Sequence, residues 1–415
     1  MTLTLLGEEL RRHAMFIWDE YLRKQRQDEK RVQEHRDQVV TYGGETMKYF
    51  AVTKGEQPDG GYPLYIALHG GGQESTEYND GAWQRMQANY VRSIRQGVYL
   101  APRGITDTWG MHFQPESYVL YDRLIENMIL FEPVNPDKIY LLGFSAGGDG
   151  VYQIAPRMAD RWAAVHMSTG HPNSVDLCNL ASTPIALQVG QNDQMYDRNL
   201  ETAKMDQLLE ALAGETPGSY THTTWIHFQK GHRIPDNDPA ELLNNVLQNP
   251  QKWLSLDISD TKVANTNAIR WLTQFERNPR PAKVIWDLNV RADRTAEALW
   301  GHEGHGRQHY WIDVGDHTSE SLGVDRIIVD LDRSHNTIRV EEAGSYLRLL
   351  IDAEMLNLEE PVRIMVDGGI HIVVVRPTGK VPKETAKQRG DPRYVFDASI
   401  TLLQTSNGSY ITVVE

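Results

Sequence analysis

The sequence predicts an α/β fold built on a doubly wound, mostly parallel sheet, followed by a small antiparallel β-sandwich-like domain. Three observations lead there. Between roughly residues 60 and 230, short apolar runs without strict alternation recur between helix-compatible stretches, the pattern of strands buried on both faces. Two of those runs end in glycine-rich turns, at His69-Gly70-Gly71-Gly72 and at Gly143-Phe144-Ser145-Ala146-Gly147. Beyond the polar, proline-bearing break at Glu276-Arg277-Asn278-Pro279-Arg280-Pro281, alternating strand candidates with tight turns take over.

Taken in order, residues 8–38 read as helix, apolar through Leu10, Ile17 and Trp18, then charged from Arg23 to Gln38. The apolar part is expected to pack on the main body, and the mixed-sign part to be solvated or to form a dimer contact. Residues 39–42 and 47–52 read as an antiparallel pair across Gly43-Gly44. Strands follow at 65–68, 97–104, 138–142, 163–168, 185–190 and 223–228, with helices at 79–96, 117–131, 148–158, 199–212 and 263–275. In the last third, strand candidates lie at 283–288, 309–314, 326–331, 337–340, 346–351, 362–367 and 370–375. The expected organisation is an N-terminal helical extension (1–38), a parallel-sheet domain (39–279) and a β-rich accessory domain (280–415).

Composition excludes several classes. With 415 residues, 40% of them hydrophobic, the chain can fill substantial cores, and two domains are expected. No run of eighteen apolar residues occurs, so no membrane span is predicted. A net charge of −14 argues against a nucleic-acid partner, which needs a concentrated basic face. The one cysteine, Cys178, rules out an internal disulfide framework. The N-terminus lacks the basic and apolar segments of a secretory signal, so a cytoplasmic location is expected. A homo-oligomer is compatible with all of this.

The run from Ile139 to Leu142 reads as a buried strand leading into a G-x-S-x-G turn. A Cβ at either flanking glycine would collide with neighbouring backbone, and the turn holds Ser145 strained, with its hydroxyl projecting. A serine hydroxyl needs a base, and the base needs a carboxylate to fix its tautomer. In a doubly wound sheet these groups stand beyond the carboxyl ends of strands. Asp193 directly follows the 185–190 strand, ahead of its rivals Asp197 and Asp206, the latter in a helix-like run expected to be solvated. His232 follows the 223–228 strand after Gly231, which allows a tight turn. Among the rivals, His171 precedes the acid, while His222 and His227 sit in the strand itself. Three glycines after His69 clear one wall of side chains, so the amides of Gly71 or Gly72, together with that of Ala146, can face a developing oxyanion. His69 is expected to hold the glycine loop through a hydrogen bond.

The loop after the 97–104 strand supplies Trp109, His112 and Phe113 as expected walls of a substrate cleft. Asp149 reads as local polar support. His302-Glu303-Gly304-His305 with His309 lacks the spacing and helical context of a metal motif, and neither a dinucleotide fingerprint nor a phosphate loop is present. No metal and no cofactor is expected.

Through the two glycine turns, Asp193 and His232, residues 39–275 resemble the α/β-hydrolase superfamily. Within it the chain looks most like predicted esterases related to polyhydroxybutyrate depolymerases, feruloyl esterases and dienelactone hydrolases. The resemblance implies that Ser145 attacks the carbonyl of a small-molecule ester, His232 shuttles the proton and Asp193 orients His232. It further implies that the amides of Ala146 and Gly71 or Gly72 bind the oxyanion, and that water releases the acyl-enzyme. Amide or peptide hydrolysis on the same three groups is the alternative chemistry, and a non-catalytic binding scaffold the alternative class. Secreted members of those families carry an export signal and often disulfides. The absence of both here argues against a polymeric extracellular substrate.

Overall fold

The computed structural model of the chain describes residues 5–227, 229–234, 239–242, 262–265, 268–291 and 306–415. It divides into two compact units: Glu34–Leu124 with Glu132–Arg277, and Met1–Gln33 with Ile125–Phe131 and Asn278–Glu415. Two helices, α1 (Leu5–Gln25) and α2 (Glu29–Asp37), come first in the chain.

The first unit is organised on an eight-stranded sheet. Its entry is a hairpin of β1 (Val39–Tyr42) and β2 (Glu45–Lys54). Gly43 and Gly44 turn it with φ of 61° and 89°, the double positive φ that a tight two-residue hairpin requires. Then come β3 (Tyr62–Leu68), β4 (Gly97–Pro102), β5 (Val134–Phe144), β6 (Ala164–Ser168), β7 (Ile185–Gly190) and β8 (His222–His227). The spatial order is β1-β2-β4-β3-β5-β6-β7-β8, with β2 antiparallel to β4 and every pair from β4 to β8 parallel. Because β4 lies on one side of β3 and β5 on the other, the winding reverses between β3 and β5, which opens a crevice at their carboxyl ends. Helices α3 (Thr76–Asn89), α4 (Pro115–Phe131), α5 (Ala146–Arg157) and α6 (Arg198–Glu215) follow β3, β4, β5 and β7. Every residue of β4, β6 and β7 is buried, which explains why these strands read as mostly apolar runs without strict alternation. One core cluster joins Tyr65, Met86, Tyr90, Tyr99, Tyr140 and Leu142, and each such burial stabilises the fold by roughly 1.5–3 kcal/mol. The arrangement is α/β-hydrolase-like, as expected.

Two elements differ from expectation. Helix α3 starts earlier than residue 79 because the Ser75 side chain caps it, accepting from the Tyr78 amide at 3.3 Å. The helix expected over 263–275 is confined to α7 (Ala268–Leu272), while Lys262–Asn265 forms β10 paired with β9 (Pro239–Leu242). A ladder partner twenty or more residues upstream overrides local propensity there.

The second unit is a β-sandwich with one core. One sheet orders β11 (Lys283–Asp287), β14 (Arg326–Asp332), β15 (Thr337–Glu342), β17 (Val362–Val366) and β18 (Gly369–Val373). The other orders β12 (Gln308–His309), β13 (Ile312–Asp313), β16 (Tyr346–Ile351), β19 (Ala398–Gln404) and β20 (Tyr410–Val414). Pairing is antiparallel except between β15 and β17. Val284, Ile327 and Val329 of one sheet and Leu349, Ile351 and Ile400 of the other share a single apolar cluster. Strands β19 and β20 and helix α8 (Lys380–Arg389) went unanticipated. Helix α1 packs within this unit: Ile17, with Ala14, Trp18 and Tyr21, meets Ala386 and Val395.

The charged run of α2 is exposed at Glu29, Lys30, Gln33, Arg36 and Asp37, as expected of a solvated face, and departs from it at two positions. Arg31 and Glu34 are each only 6% exposed, and each is paired, Arg31 with Glu126 at 2.7 Å and Glu34 with Arg123 at 2.8 Å, as buried charges must be. Among the described residues no helix is long and apolar enough to cross a membrane.

Buried His166 on β6 supplies a pH test of this core. It lies beside the rings of Tyr90 and Trp225, and burial lowers its pKa from 6.5 to about 3. Between those values the unfolded chain binds a proton that the folded chain refuses. The stability contributed by neutral His166 is therefore complete above about pH 6.5 and is lost as pH falls toward 3. In urea melts of wild type and His166→Phe, the difference should move against the wild type as pH drops from neutral into this window. A difference independent of pH would refute the assignment.

Candidate functional site

Ser145 stands where β5 turns into α5, with φ of 58° and ψ of −122°. A positive φ at a serine costs on the order of 1–3 kcal/mol and persists only when its surroundings impose it. They do so here through backbone contacts. The Ser145 amide donates to the Ser168 carbonyl at 3.0 Å, and the Ser145 carbonyl accepts from Asp149 at 3.0 Å. A Cβ on Gly143 would lie 2.0 Å from the Gly147 carbonyl oxygen, and one on Gly147 would lie 2.2 Å from that of Leu68. Both flanking glycines are thus required by close approach, and neither has a positive φ. Since β3 and β5 flank the reversal of winding, the glycine loop and Ser145 face the same crevice.

Two other loops deliver an acid and an imidazole to the same place. The His232 Nδ1–H donates to Asp193 Oδ2 at 2.8 Å, and Nε2 accepts from the Ser145 hydroxyl at 2.8 Å. With Nδ1 facing a carboxylate, Nε2 carries the lone pair. Asp193 is 2% exposed, and its amide and carbonyl bond Gly190 and Asn199. The His232 ring is partly open and tilts against Phe144, with ring centres 5.4 Å apart. The loops carrying Asp193 and His232 are stitched together: Asn192 N donates to the Lys230 carbonyl at 2.8 Å, Gln191 N to that of His227 at 3.0 Å, and Gln229 N to Gln191 Oε1 at 3.0 Å. The glycine that matters for this approach is Gly190, whose Cβ would lie 2.1 Å from the Gly231 carbonyl oxygen. Gly231, expected to permit the turn, has open space around it.

The glycine loop is held by a polar network. The Gly104 amide donates to His69 Nε2 at 3.0 Å, so the His69 proton is on Nδ1, which donates to the Gly70 carbonyl at 2.7 Å. Burial lowers the His69 pKa to about 4, which keeps this ring neutral. Gly71 has φ of 121°, and a Cβ there would meet Asn79 Oδ1 at 2.2 Å. The Gly72 amide donates to that same oxygen at 2.9 Å, while Asn79 Nδ2 donates to Asp107 Oδ1 at 2.9 Å. Asp107 also accepts from Thr76 and Arg103, and these bonds hold its carboxyl below the usual range. Gly72 is therefore corrected as an oxyanion donor, because its amide is already engaged. The Gly71 amide has no acceptor among the described residues, and the Ala146 amide opens α5, where helix N–H groups lack intrahelical partners.

The three expected cleft residues part ways. Trp109 is 41% exposed, packs over Gly72 and meets the Tyr196 ring edge-on at 5.5 Å. Phe113 is half-buried beside Gly110. His112 is a correction: it is fully buried, its Nε2–H donates to the His69 carbonyl at 2.8 Å, and its Nδ1 faces the Tyr121 hydroxyl at 3.4 Å. It supports the glycine loop from beneath and has nothing left for a ligand. Tyr196 was missed. It is 52% exposed, stacked by the Arg198 guanidinium at 4.9 Å, and both it and Asp197 have positive φ, an unusual backbone for an aromatic residue.

Among the rivals, Asp197 is exposed, and Asp206 is buried where a solvated side chain was expected. The His171 side chain bonds Asn173, and its amide donates to buried Asp149 at 2.7 Å, the support role expected of that aspartate. His302, Glu303 and His305 lie outside the described residues. His309 is buried and stacked on Trp286. Asn79, Asp107 and Tyr196 carry no motif in the sequence. The only signal available was a carboxylate and an amide side chain placed just after strands that bear glycine loops.

No protein-family model matches the chain, and no curated protein does. Solved structures similar to it include a thermostable esterase, at 18% identity and TM-score 0.41 over 58% of this chain and 62% of that one. A ferulic acid esterase is 15% identical, with TM-score 0.32 over 47% of this chain and 90% of the other. A poly(3-hydroxybutyrate) depolymerase from Bordetella parapertussis is 15% identical, with TM-score 0.36 over 46% of this chain and 80% of the other. The chain thus spans less than two thirds of the length of the thermostable esterase.

The packing of the acid and base loops predicts an asymmetry between two glycines. Gly190→Ala should destabilise the protein by about 1–3 kcal/mol, the cost of overpacking, because backbone must move away from the new methyl. Gly231→Ala, in open space at negative φ, should stay within about 0.5–1 kcal/mol of wild type. Equilibrium urea unfolding of the pair checks this, and equal effects would contradict it.

Proposed function

We propose that this protein is a serine hydrolase that cleaves a carboxylic ester of modest size through an acyl-enzyme. The observation that carries the reading is the bond sequence Ser145 hydroxyl to His232 to Asp193, set on a strained elbow at the reversal of the sheet.

In this mechanism Ser145 Oγ attacks the ester carbonyl while its proton passes to His232 Nε2. Asp193 keeps the Nδ1 tautomer in place and stabilises the imidazolium that forms. Charge then develops on the former carbonyl oxygen, and the amides of Ala146 and Gly71 donate to it. Each such donor is worth about 3 kcal/mol of barrier. Imidazolium returns its proton to the leaving alcohol, water enters, and the same three groups run the sequence backwards to release acid and free Ser145. Trp109 and Tyr196 offer exposed aromatic faces to the acyl or alcohol group. An ester asks least of this apparatus, because an alkoxide is a better leaving group than an amide nitrogen and depends less on the proton that His232 returns.

Ser145→Ala should remove burst acylation by p-nitrophenyl esters while leaving the unfolding midpoint near wild type. Asp193→Asn should fold and yet lose turnover by a factor on the order of 10⁴. Comparing short and long acyl esters with aminoacyl amides tests the substrate class. Undiminished turnover in the alanine variant would end the proposal, and faster amide than ester cleavage would replace its substrate.

A further inference from the structure

We propose that Asp206, Glu210 and His222 form a binding site for a divalent transition-metal cation of the Zn²⁺ type. Asp206 and Glu210 are four residues apart on α6 and so share one helix face. His222 opens β8. One nitrogen or oxygen from each of the three lies within 4.8 Å of the others.

Two observations, independent of the grouping itself, point to a cation. The first is Asp206, which is only 3% exposed, while its Oδ2 makes no hydrogen bond of normal geometry among the described residues. A carboxylate oxygen left without water or donor costs about 1–3 kcal/mol or more, and a bound cation removes that cost. The second is the tautomer of His222. Its Nδ1–H donates to the Tyr220 carbonyl at 2.7 Å, so the lone pair is on Nε2, which faces Glu210 Oε1 at 3.5 Å. A ring nitrogen pinned by a backbone carbonyl, with the other directed at carboxylates, is the arrangement that orients metal-ligating imidazoles.

The donor set selects the class of ion. One imidazole and two carboxylates, with water completing the shell, suit Zn²⁺ and its neighbours, whereas Mg²⁺ prefers oxygen alone. Ligands about 2.0–2.2 Å from Zn²⁺ stand roughly 3–3.6 Å apart, so a small inward movement completes the site. Glu210, with its side chain 65% exposed, is free to make that movement. A plain ion pair between His222 and Glu210 would explain those two residues and leave the buried Asp206 Oδ2 with only a poorly aligned contact from the Thr224 hydroxyl. No motif revealed the site, because eleven residues and a helix end separate Glu210 from His222.

The test uses the full-length protein stripped with EDTA and titrated with ZnCl₂, CoCl₂ or MgCl₂ alone. Wild type should bind one more equivalent of Zn²⁺ than either Glu210→Gln or His222→Ala, or bind it at least about 10-fold more tightly, the smallest loss expected when even an outer partner of a metal ligand is removed. Co²⁺ should develop visible absorption in wild type that both variants lack. Glu210 is exposed, so Glu210→Gln should melt with wild type in EDTA and fall behind it only when Zn²⁺ is present. Equal Zn²⁺ affinity and stoichiometry in wild type and both variants would overturn the site, as would absence of binding to wild type. A melting shift with Mg²⁺ as large as that with Zn²⁺ would overturn the class of ion.

Discussion

The candidate site depends on backbone segments approaching more closely than any side chain would permit. Gly143 lies against Gly147, Gly147 against Leu68, and Gly190 against Gly231, each at a distance where an added methyl would overlap a carbonyl oxygen. The first two contacts hold Ser145 in its positive-φ turn beside the glycine loop, and the third lets the acid and base loops run side by side. Ser145, Asp193 and His232 are far apart along the chain. They meet because β5, β7 and β8 are parallel members of one sheet, so their carboxyl ends share one edge.

Around that contact, the polar groups divide into those that hold the loops and those left over. Asn79, Asp107 and Arg103 form a connected network whose end is the Gly72 amide. His69 and His112 are neutral, buried and locked in single tautomers under the same loop. A network this thoroughly satisfied rigidifies what it touches. It leaves the Gly71 and Ala146 amides without acceptors, a state that water or an oxyanion can satisfy. Positive φ at Ser145, Tyr196 and Asp197 marks strained backbone beside this frame.

The β-rich unit follows different physics. Its two sheets close on one apolar cluster that reaches from Val284 to Tyr410 and includes Leu10 of α1. Strand β19 pairs with β16, from Ile351 opposite Ala398 to Tyr346 opposite Leu403, and β20 closes that sheet's edge. The outward side chains Ile370, Ile372, Ile411 and Val413 remain exposed on its edge strands.

Much of this was legible in the sequence for identifiable reasons. Strands buried on both faces are predominantly apolar, so β3 to β8 could be read within a few residues, and glycines at strand ends marked where chains would crowd. Ser145, Asp193 and His232 could be named because a doubly wound sheet allows only loops after particular strands to reach one edge. What the sequence by itself determined was therefore local: strand burial, turn chemistry and the order of the polar groups. The tertiary structure alone decided the partners. It spent the Gly72 amide on Asn79, turned His112 inward, brought Tyr196 against Trp109 and buried Asp206 beside His222. These outcomes depend on which surfaces meet after the chain has folded, and a side chain's neighbours across a sheet leave no mark in the residues beside it in sequence.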